Sequence, residues 1–321
     1  MKTDHFDILI IGAGISGIGI ACRLSQRFPE RRIAILERRA AAGGTWDLFR
    51  YPGIRSDSDM FSYAYDLRPW LKPEILASGG EILNYLDATI EEFGIRDMIR
   101  FGHRVEAADW NSEAAAWHVK AVDETCGEAR DFSARFLVAC TGYYDQDRGY
   151  MPDFPGADEF TGRIVHPQHW PDDLEYRDRN VIVIGSGATA ATIVPAIAGT
   201  ARHVTMLQRS PSYFFDVPAK DIVFATLRWL LPKRLAARAA RLRSHHRLDD
   251  RHYPGNRQPG NPGSQQSKFS ILDRDIHVRI CRGNLHQQKN NDCPGIFVIN
   301  DTPAPICPTH QMGHGDESHG V

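Results

Sequence analysis

The sequence predicts an α/β fold with two parallel-sheet units in one chain of 321 residues. Three observations carry that expectation. Short, uninterrupted apolar runs recur, as expected for strands buried on both faces of a sheet. Two of these runs lead directly into a glycine loop and then a helix. The two strand–loop–helix–strand units stand about 170 residues apart, too far for one nucleotide-binding half and right for two.

Taken in order, Phe6 to Ile11 is the first strand, Ile15 to Phe28 a helix stopped by Pro29, and Arg32 to Glu37 a second strand ending on a carboxylate. Residues 41–75 are polar and loop-rich, and a helix follows over Gly80 to Phe93. Strands are predicted at Val105 to Trp110, Trp117 to Val122 and Phe136 to Gly142. The second unit is a strand at Asn180 to Ile184, a helix at Ala188 to Ala198 and a strand at His203 to Gln208. Residues 221–243 read as helical and basic. From residue 245 the composition changes: turn residues dominate, as in Pro254 to Gly263, and eight of the fourteen histidines lie there. Such a segment cannot bury enough apolar surface to offset its ordering entropy, so it is expected to be disordered.

Composition narrows the function classes. At 42% apolar and 24% charged, with a formal charge of -2, the chain reads as globular and offers nucleic acid no electrostatic attraction. Six cysteines without a C-x-x-C pair do not make a disulfide scaffold. Asp4 and Asp7 precede the first apolar run, which argues against a signal peptide, and no apolar stretch is long enough to span a bilayer. A cytoplasmic location is expected, and the oligomeric state is left open.

The glycine loops carry the chemistry. In Gly12-Ala13-Gly14-Ile15-Ser16-Gly17 the first glycine permits the tight turn, the second lets a pyrophosphate approach the backbone, and the third packs helix on strand. The helix N-terminus adds unpaired N–H groups and partial positive charge. Glu37 stands where a carboxylate can bond both ribose hydroxyls, so this site suits a dinucleotide with a free ribose, such as FAD. Gly185-Ser186-Gly187-Ala188-Thr189-Ala190 repeats the pattern, but no acid follows its second strand. Arg209 and Ser210 stand there instead; an arginine pairs with a 2′-phosphate that a carboxylate would repel, so this site suits NADPH.

Two longer strings then decide a resemblance. Gly43-Gly44-Thr45-Trp46-Asp47-Leu48-Phe49-Arg50-Tyr51-Pro52-Gly53-Ile54-Arg55-Ser56-Asp57 and the stretch from Phe160 to Pro171, with His166 and Trp170, resemble the two fingerprints of type I Baeyer–Villiger flavin monooxygenases. Their wording is most similar to the subgroup of the mycobacterial ethionamide-activating monooxygenase. The resemblance implies two Rossmann-like domains binding FAD and NADPH. It implies that a C4a-peroxyflavin formed with O2 inserts oxygen into a ketone, or oxidises the sulfur of a thioether or thioamide. It also implies that Gly12, Gly14, Ser16, Gly17, Glu37, Gly44, Thr45, Trp46, Asp47 and Val105 contact FAD. Arg55, Ser56 and Asp57 then lie between flavin and nicotinamide, with Asp57 as the catalytic carboxylate. Gly185 to Ala190, Arg209 and Ser210 hold NADPH, and His166 belongs to a linker that senses the cofactor.

The domains expected are 1–145 (FAD-binding), 146–175 (linker), 176–218 (start of the NADPH-binding domain), 219–244 (helical insert) and 245–321 (atypical tail). The family's late catalytic arginine finds no match. Asp273-Arg274-Asp275, Arg279 and Arg282 lack its context, and the last third of a usual member is not recognisable. A catalytically impaired, FAD-binding remnant is therefore the competing expectation, with monooxygenation weak or absent. A related N- or S-oxygenase is disfavoured by the intact second fingerprint, and a disulfide reductase by the lack of a C-x(4)-C after the first unit. The tail's cysteines and histidines (Cys281, Cys293, Cys307, His277, His286, His310) are too irregularly spaced for a zinc site, so no metal is expected.

Overall fold

The computed structural model describes residues 3–208, 217–252, 278–282 and 296–300. β1 (Asp4–Ile11), α1 (Ile15–Arg27) and β2 (Ile33–Leu36) form the first right-handed unit. The loop-rich stretch that follows contains two single-turn helices, α2 (Thr45–Leu48) and α3 (Met60–Tyr63). Then come α4 (Gly79–Glu92), β3 (Ile99–Arg100), β4 (His103–Asn111), β5 (Ala116–Asp123) and β6 (Glu128–Ala139). Ser78 starts α4 with a capping box, its hydroxyl accepting from the Glu81 N–H while the Glu81 carboxylate accepts from the Ser78 N–H.

The first sheet has the order β3-β2-β1-β6-β5-β4. β3, β2, β1 and β6 run parallel, and β5 and β4 extend the sheet as an antiparallel meander. The chain reverses its winding at β1, and the crevice at the carboxyl ends of β1 and β6 is where open α/β sheets take their ligands. β7 (Arg163–Val165), β8 (Asn180–Ile184), α5 (Ala188–Ile197) and β9 (His203–Gln208) build the second unit, with β8 parallel to β9.

The tail differs in part from the expectation of disorder. β10 (Val278–Arg282) pairs in parallel with β9, and β11 (Ile296–Asn300) lies antiparallel between β8 and β7. Both are short runs of β-formers that satisfy sheet edges left open by β8 and β9, a signal hidden by the polar composition around them. The helical insert is also two helices, α6 (Ile222–Leu230) and α7 (Lys233–His252). Pro232 separates them because it lacks an N–H and disfavours helix at the residue before it. α7 continues past Ser244 into the segment expected to be disordered.

Two cores cross the sequence order. Leu48, Phe49 and Tyr51, from the loop of the first unit, are buried among Val181, Val183, Ile193 and Met206 of the second. Conversely, Phe224, Ala236, Ala237 and Ala240 of α6 and α7 are buried in the first unit's core, where the Phe224 ring lies 4.8 Å from that of Phe61.

Candidate functional site

The first glycine loop is held by contacts that require glycine. The Gly12 N–H donates to Leu36 O at 2.8 Å, and its φ of +99° lies in the left-handed region. A Cβ there would stand 2.5 Å from Cys140 O, and one on Gly17 would stand 1.8 Å from Gly12 O. Gly14 is different. It is the N-cap of α1 in extended backbone, no side chain caps the helix, and no acid sits in the first turn. A Cβ on Gly14 would meet only Gly44 Cα, at 3.6 Å. Ser16 lies exposed in that same first turn.

Glu37 is 3% exposed and braces the loop. Its Oε2 accepts from the Ala13 N–H at 2.6 Å and its Oε1 from the Arg39 N–H at 2.8 Å. An ionised carboxylate has about four acceptor sites, so two remain for further donors. The start of β4 passes over this end of β2, with the His103 N–H donating to Glu37 O at 2.9 Å, and Val105 packs against the cluster holding Leu9, Ala34 and Leu36.

The second loop repeats the first at the level of the backbone. The Gly185 N–H donates to Leu207 O at 2.9 Å, with φ +141°. Gly187 caps α5 with φ -80° against -78° at Gly14, again without a side-chain cap. Gly187 and Ala188 are exposed, Ser186 and Thr189 half-buried, and Ala190 buried against the sheet. The correspondence of Leu207 with Leu36 puts Gln208 in the position of Glu37. Its amide donates to Met206 Sδ at 3.5 Å, so the acid of the first site has no counterpart here. Arg209 and Ser210 lie outside the described residues.

The loop from Gly43 to Asp57 joins the two sites. The Gly43 N–H donates to Ala13 O at 2.9 Å, and Gly44, at φ +55°, abuts Gly14. Thr45 then opens α2. Asp47 is nearly buried between two guanidinium groups, taking Arg39 Nε at 2.6 Å and Arg50 Nη2 at 2.5 Å. Trp46 Nε1 donates to the Tyr63 hydroxyl at 2.8 Å, the two rings meeting edge to face. Further along, a hydrogen bond links the Tyr51 hydroxyl to Thr189 of the second glycine loop. Gly53, at φ +77°, lies directly on α5, where a Cβ would stand 2.7 Å from Ala196 Cβ and 2.9 Å from Thr192 O.

Arg55 and Asp57 are exposed at the end of this loop, whereas Ser56 is buried. The Ser56 hydroxyl accepts from the Ala77 N–H at 3.1 Å, so it anchors the loop to the segment entering α4. Asp57 Oδ1 accepts from the Ser58 hydroxyl at 3.4 Å. Burial pushes the Tyr51 and Tyr63 phenols up, and the charge of Asp57 adds to both shifts.

His166 is 9% exposed. Its Nδ1 accepts from the Gln168 N–H at 3.1 Å, the edge of its ring lies against Gly149, and its Nε2 is buried without a hydrogen-bond partner among the described residues. Burial, helped by the charge of His169, holds its pKa below the usual 6.5.

A profile of flavin-binding monooxygenase-like proteins matches residues 70–290, and one of NAD(P)-binding Rossmann-like domains matches residues 10–67. The chain belongs to the flavin-binding monooxygenase-like family. Among curated relatives it is 55% identical over 236 residues to the putative FAD-containing monooxygenase MymA of Mycobacterium tuberculosis, covering 72% of this chain and 48% of that protein. It is 51% identical to the FAD-containing monooxygenase EthA of Mycolicibacterium smegmatis, covering 73% and 47%. A steroid monooxygenase bound to NADP superposes with a TM-score of 0.60 at 33% identity, over 73% of this chain and 43% of that one. A cyclohexanone monooxygenase superposes at 0.62 and 26% identity, over 74% and 45%. The chain spans about half the length of the curated relatives it matches. The Baeyer–Villiger resemblance read from the two fingerprints agrees with these relatives.

The structure therefore gathers Gly12, Gly14, Ser16, Gly17, Glu37, Gly44 and Thr45 around one helix N-terminus and Gly185 to Ala190 around another. Sequence reasoning missed the residues that hold the connecting loop: Arg39 and Arg50 on Asp47, Tyr63 on Trp46, and Tyr51 on Thr189. Among these, Tyr51 occupies an aromatic position of the fingerprint, which was the one available signal.

Proposed function

We propose that the protein binds FAD at the first glycine loop and NADPH at the second, acting in the cytoplasm within a Baeyer–Villiger-type monooxygenase reaction. Its substrates are O2 and a small ketone or sulfur compound. One observation carries the reading. Two backbone-matched glycine loops, each opening an uncapped helix, are bridged by a single loop that touches both.

The residues fit the cofactors. The uncapped N-terminus of α1 offers unpaired N–H groups to a pyrophosphate, and glycine at position 14 puts no side chain in its approach. Glu37 keeps two acceptor sites for the ribose hydroxyls, and Gln208 in the matching position leaves a 2′-phosphate unopposed by charge. Bound FAD supplies the redox chemistry, accepting a hydride from NADPH and activating O2. The chain's own side chains bind and orient. Asp47 fixes Arg39 and Arg50 at the flavin end of the loop, Tyr51 and Gly53 fix the nicotinamide end, and Asp57 supplies a carboxylate between them.

The test is anaerobic reduction of the FAD-loaded protein, followed by loss of flavin absorbance. NADPH should bleach the flavin well ahead of NADH. Arg209→Ala should remove that preference by weakening NADPH alone by about 1.5 to 3 kcal/mol, the worth of a charge-assisted contact. Equal reduction of the parent by both nucleotides, or by neither, would overturn the assignment.

A further inference from the structure

The α6–α7 hairpin has its residues arranged in the opposite order to ordinary packing. Its inner face offers mainly alanines (Ala236, Ala237, Ala240) and Phe224 to the core. Leu227 packs partly against that core, and most of the other large side chains point out. Ile222 is 78% exposed, Trp229 86% and Leu230 63%, with Val223, Leu231, Leu235 and Leu242 also on the surface. At the turn, all eight residues from Arg228 to Leu235 are exposed. Monomeric soluble proteins rarely present so contiguous an apolar tip unless something meets it.

Charge indicates what meets it. Residues 222–252 contain eight Lys and Arg against two acids, Asp249 and Asp250, both far along α7 from the tip, in a chain whose overall charge is -2. Arg228, Lys233 and Arg234 flank the apolar tip itself. Arg243 is already paired with Asp221, and Arg228 and Arg241 each also donate to a backbone carbonyl, of Leu71 and Ala64, which fixes the helices to the body of the protein.

We propose that this hairpin docks the protein on an anionic lipid surface. Trp229, Leu230 and Leu231 enter the headgroup region, and the flanking cations meet the lipid charges. An aromatic and aliphatic tip ringed by Lys and Arg matches the depth order of a membrane interface. A nucleic acid would use the cations but has no use for exposed Leu and Ile. A second copy seated symmetrically on the same patch would bring Arg228, Lys233 and Arg234 against the same three cations. This is surface docking: no helix among the described residues is long and apolar enough to cross a membrane.

The experiment is co-sedimentation of the full chain with phosphatidylcholine vesicles, with and without about one-third phosphatidylglycerol, at low and high salt. Binding should require the anionic lipid and weaken with salt. Lys233→Gln with Arg234→Gln should weaken it by on the order of tenfold. Trp229→Ser with Leu230→Ser should do so by a similar factor. Far-UV circular dichroism and thermal melting of each variant show that the fold is kept. A blue shift of tryptophan emission on adding vesicles, lost in Trp229→Phe, places that residue in the interface. No sedimentation with either vesicle, or sedimentation untouched by both double variants, would overturn the proposal. So would a concentration-dependent dimer dissolved by Leu230→Ser without vesicle binding, or oligonucleotide binding as tight as vesicle binding.

Discussion

Gly14→Ala separates flavin binding from folding, and the structure supplies the reason. Gly14 sits at φ -78° and ψ -173°, backbone that alanine adopts without strain, and the new methyl would touch only Gly44 Cα at 3.6 Å. Alanine is a poorer N-cap than glycine by a few tenths of a kcal/mol or more, and it stiffens the unfolded chain by about 0.4 to 1 kcal/mol in compensation. The apo protein should therefore melt within about 2 °C of the parent. Flavin is another matter. With FAD placed as proposed, the added methyl stands at the helix N-terminus that the pyrophosphate approaches, beside the first N–H groups of α1. Losing one charge-assisted hydrogen bond costs about 1.5 to 3 kcal/mol, or roughly 10- to 150-fold in Kd.

Gly17→Ala is the control. Its methyl would stand 1.8 Å from Gly12 O, so helix and strand must separate, and the apo protein itself should lose several kcal/mol. Fluorescence titration with FAD and thermal melting of both apo variants read the two effects. A Gly14→Ala protein that binds FAD as tightly as the parent would refute the placement of the pyrophosphate. One that melts as low as Gly17→Ala would refute the local geometry.

Three further outcomes follow from the same contacts. Glu37→Gln leaves one acceptor oxygen where the Ala13 and Arg39 N–H groups require two; the apo protein should lose about 1 to 3 kcal/mol in chemical denaturation, and an unchanged midpoint would contradict the brace. Gly53→Ala forces a methyl against α5 at a positive φ, so it should cost about 1 to 3 kcal/mol and slow flavin reduction by NADPH more than it weakens FAD affinity. His166 has its folded pKa depressed by burial, so the unfolded chain takes up the proton first; its contribution to stability is complete above pH 6.5 and is lost as pH falls through the lower folded value. Melting temperature against pH should thus fall more steeply below pH 6.5 for the parent than for His166→Gln, and parallel curves would exclude the effect.

What was legible in the sequence is what the backbone decides locally. Gly12, Gly17 and Gly185 are required by a positive φ or by a close approach within a few residues, and a strand–glycine–helix string announces that requirement directly. Asn180 to Ile184 and His203 to Gln208 are strands with the ends the sequence predicts, since largely buried strands are bounded by an abrupt change of polarity. The strands β10 and β11 were missed for the converse reason: five apolar-rich residues gain their stability from an edge supplied by β8 and β9, far away in sequence. The outward turn of Trp229 and Leu230 was not legible either, because helical periodicity shows that a face exists and not which face the core takes.

The burial of Leu48, Phe49 and Tyr51 in the other unit's core is the deepest case, and it bears on function. A loop read from the sequence as a flavin-side motif is divided between two bodies. Its first half is tied to the flavin side by the Gly43 N–H on Ala13 and by Asp47 on Arg39. Its second half is tied to the nicotinamide side by Tyr51 on Thr189 and Gly53 on α5. Arg55 and Asp57 follow on this second half, but the Ser56 N–H donates to Ala77 O and the Gly79 N–H to Ile54 O, so the end of the loop is tied back to the segment entering α4. Asp47 and its two arginines fix the first end of the loop. Asp57 thus stands at the end of a loop that is anchored to the first unit on both sides of its contact with α5.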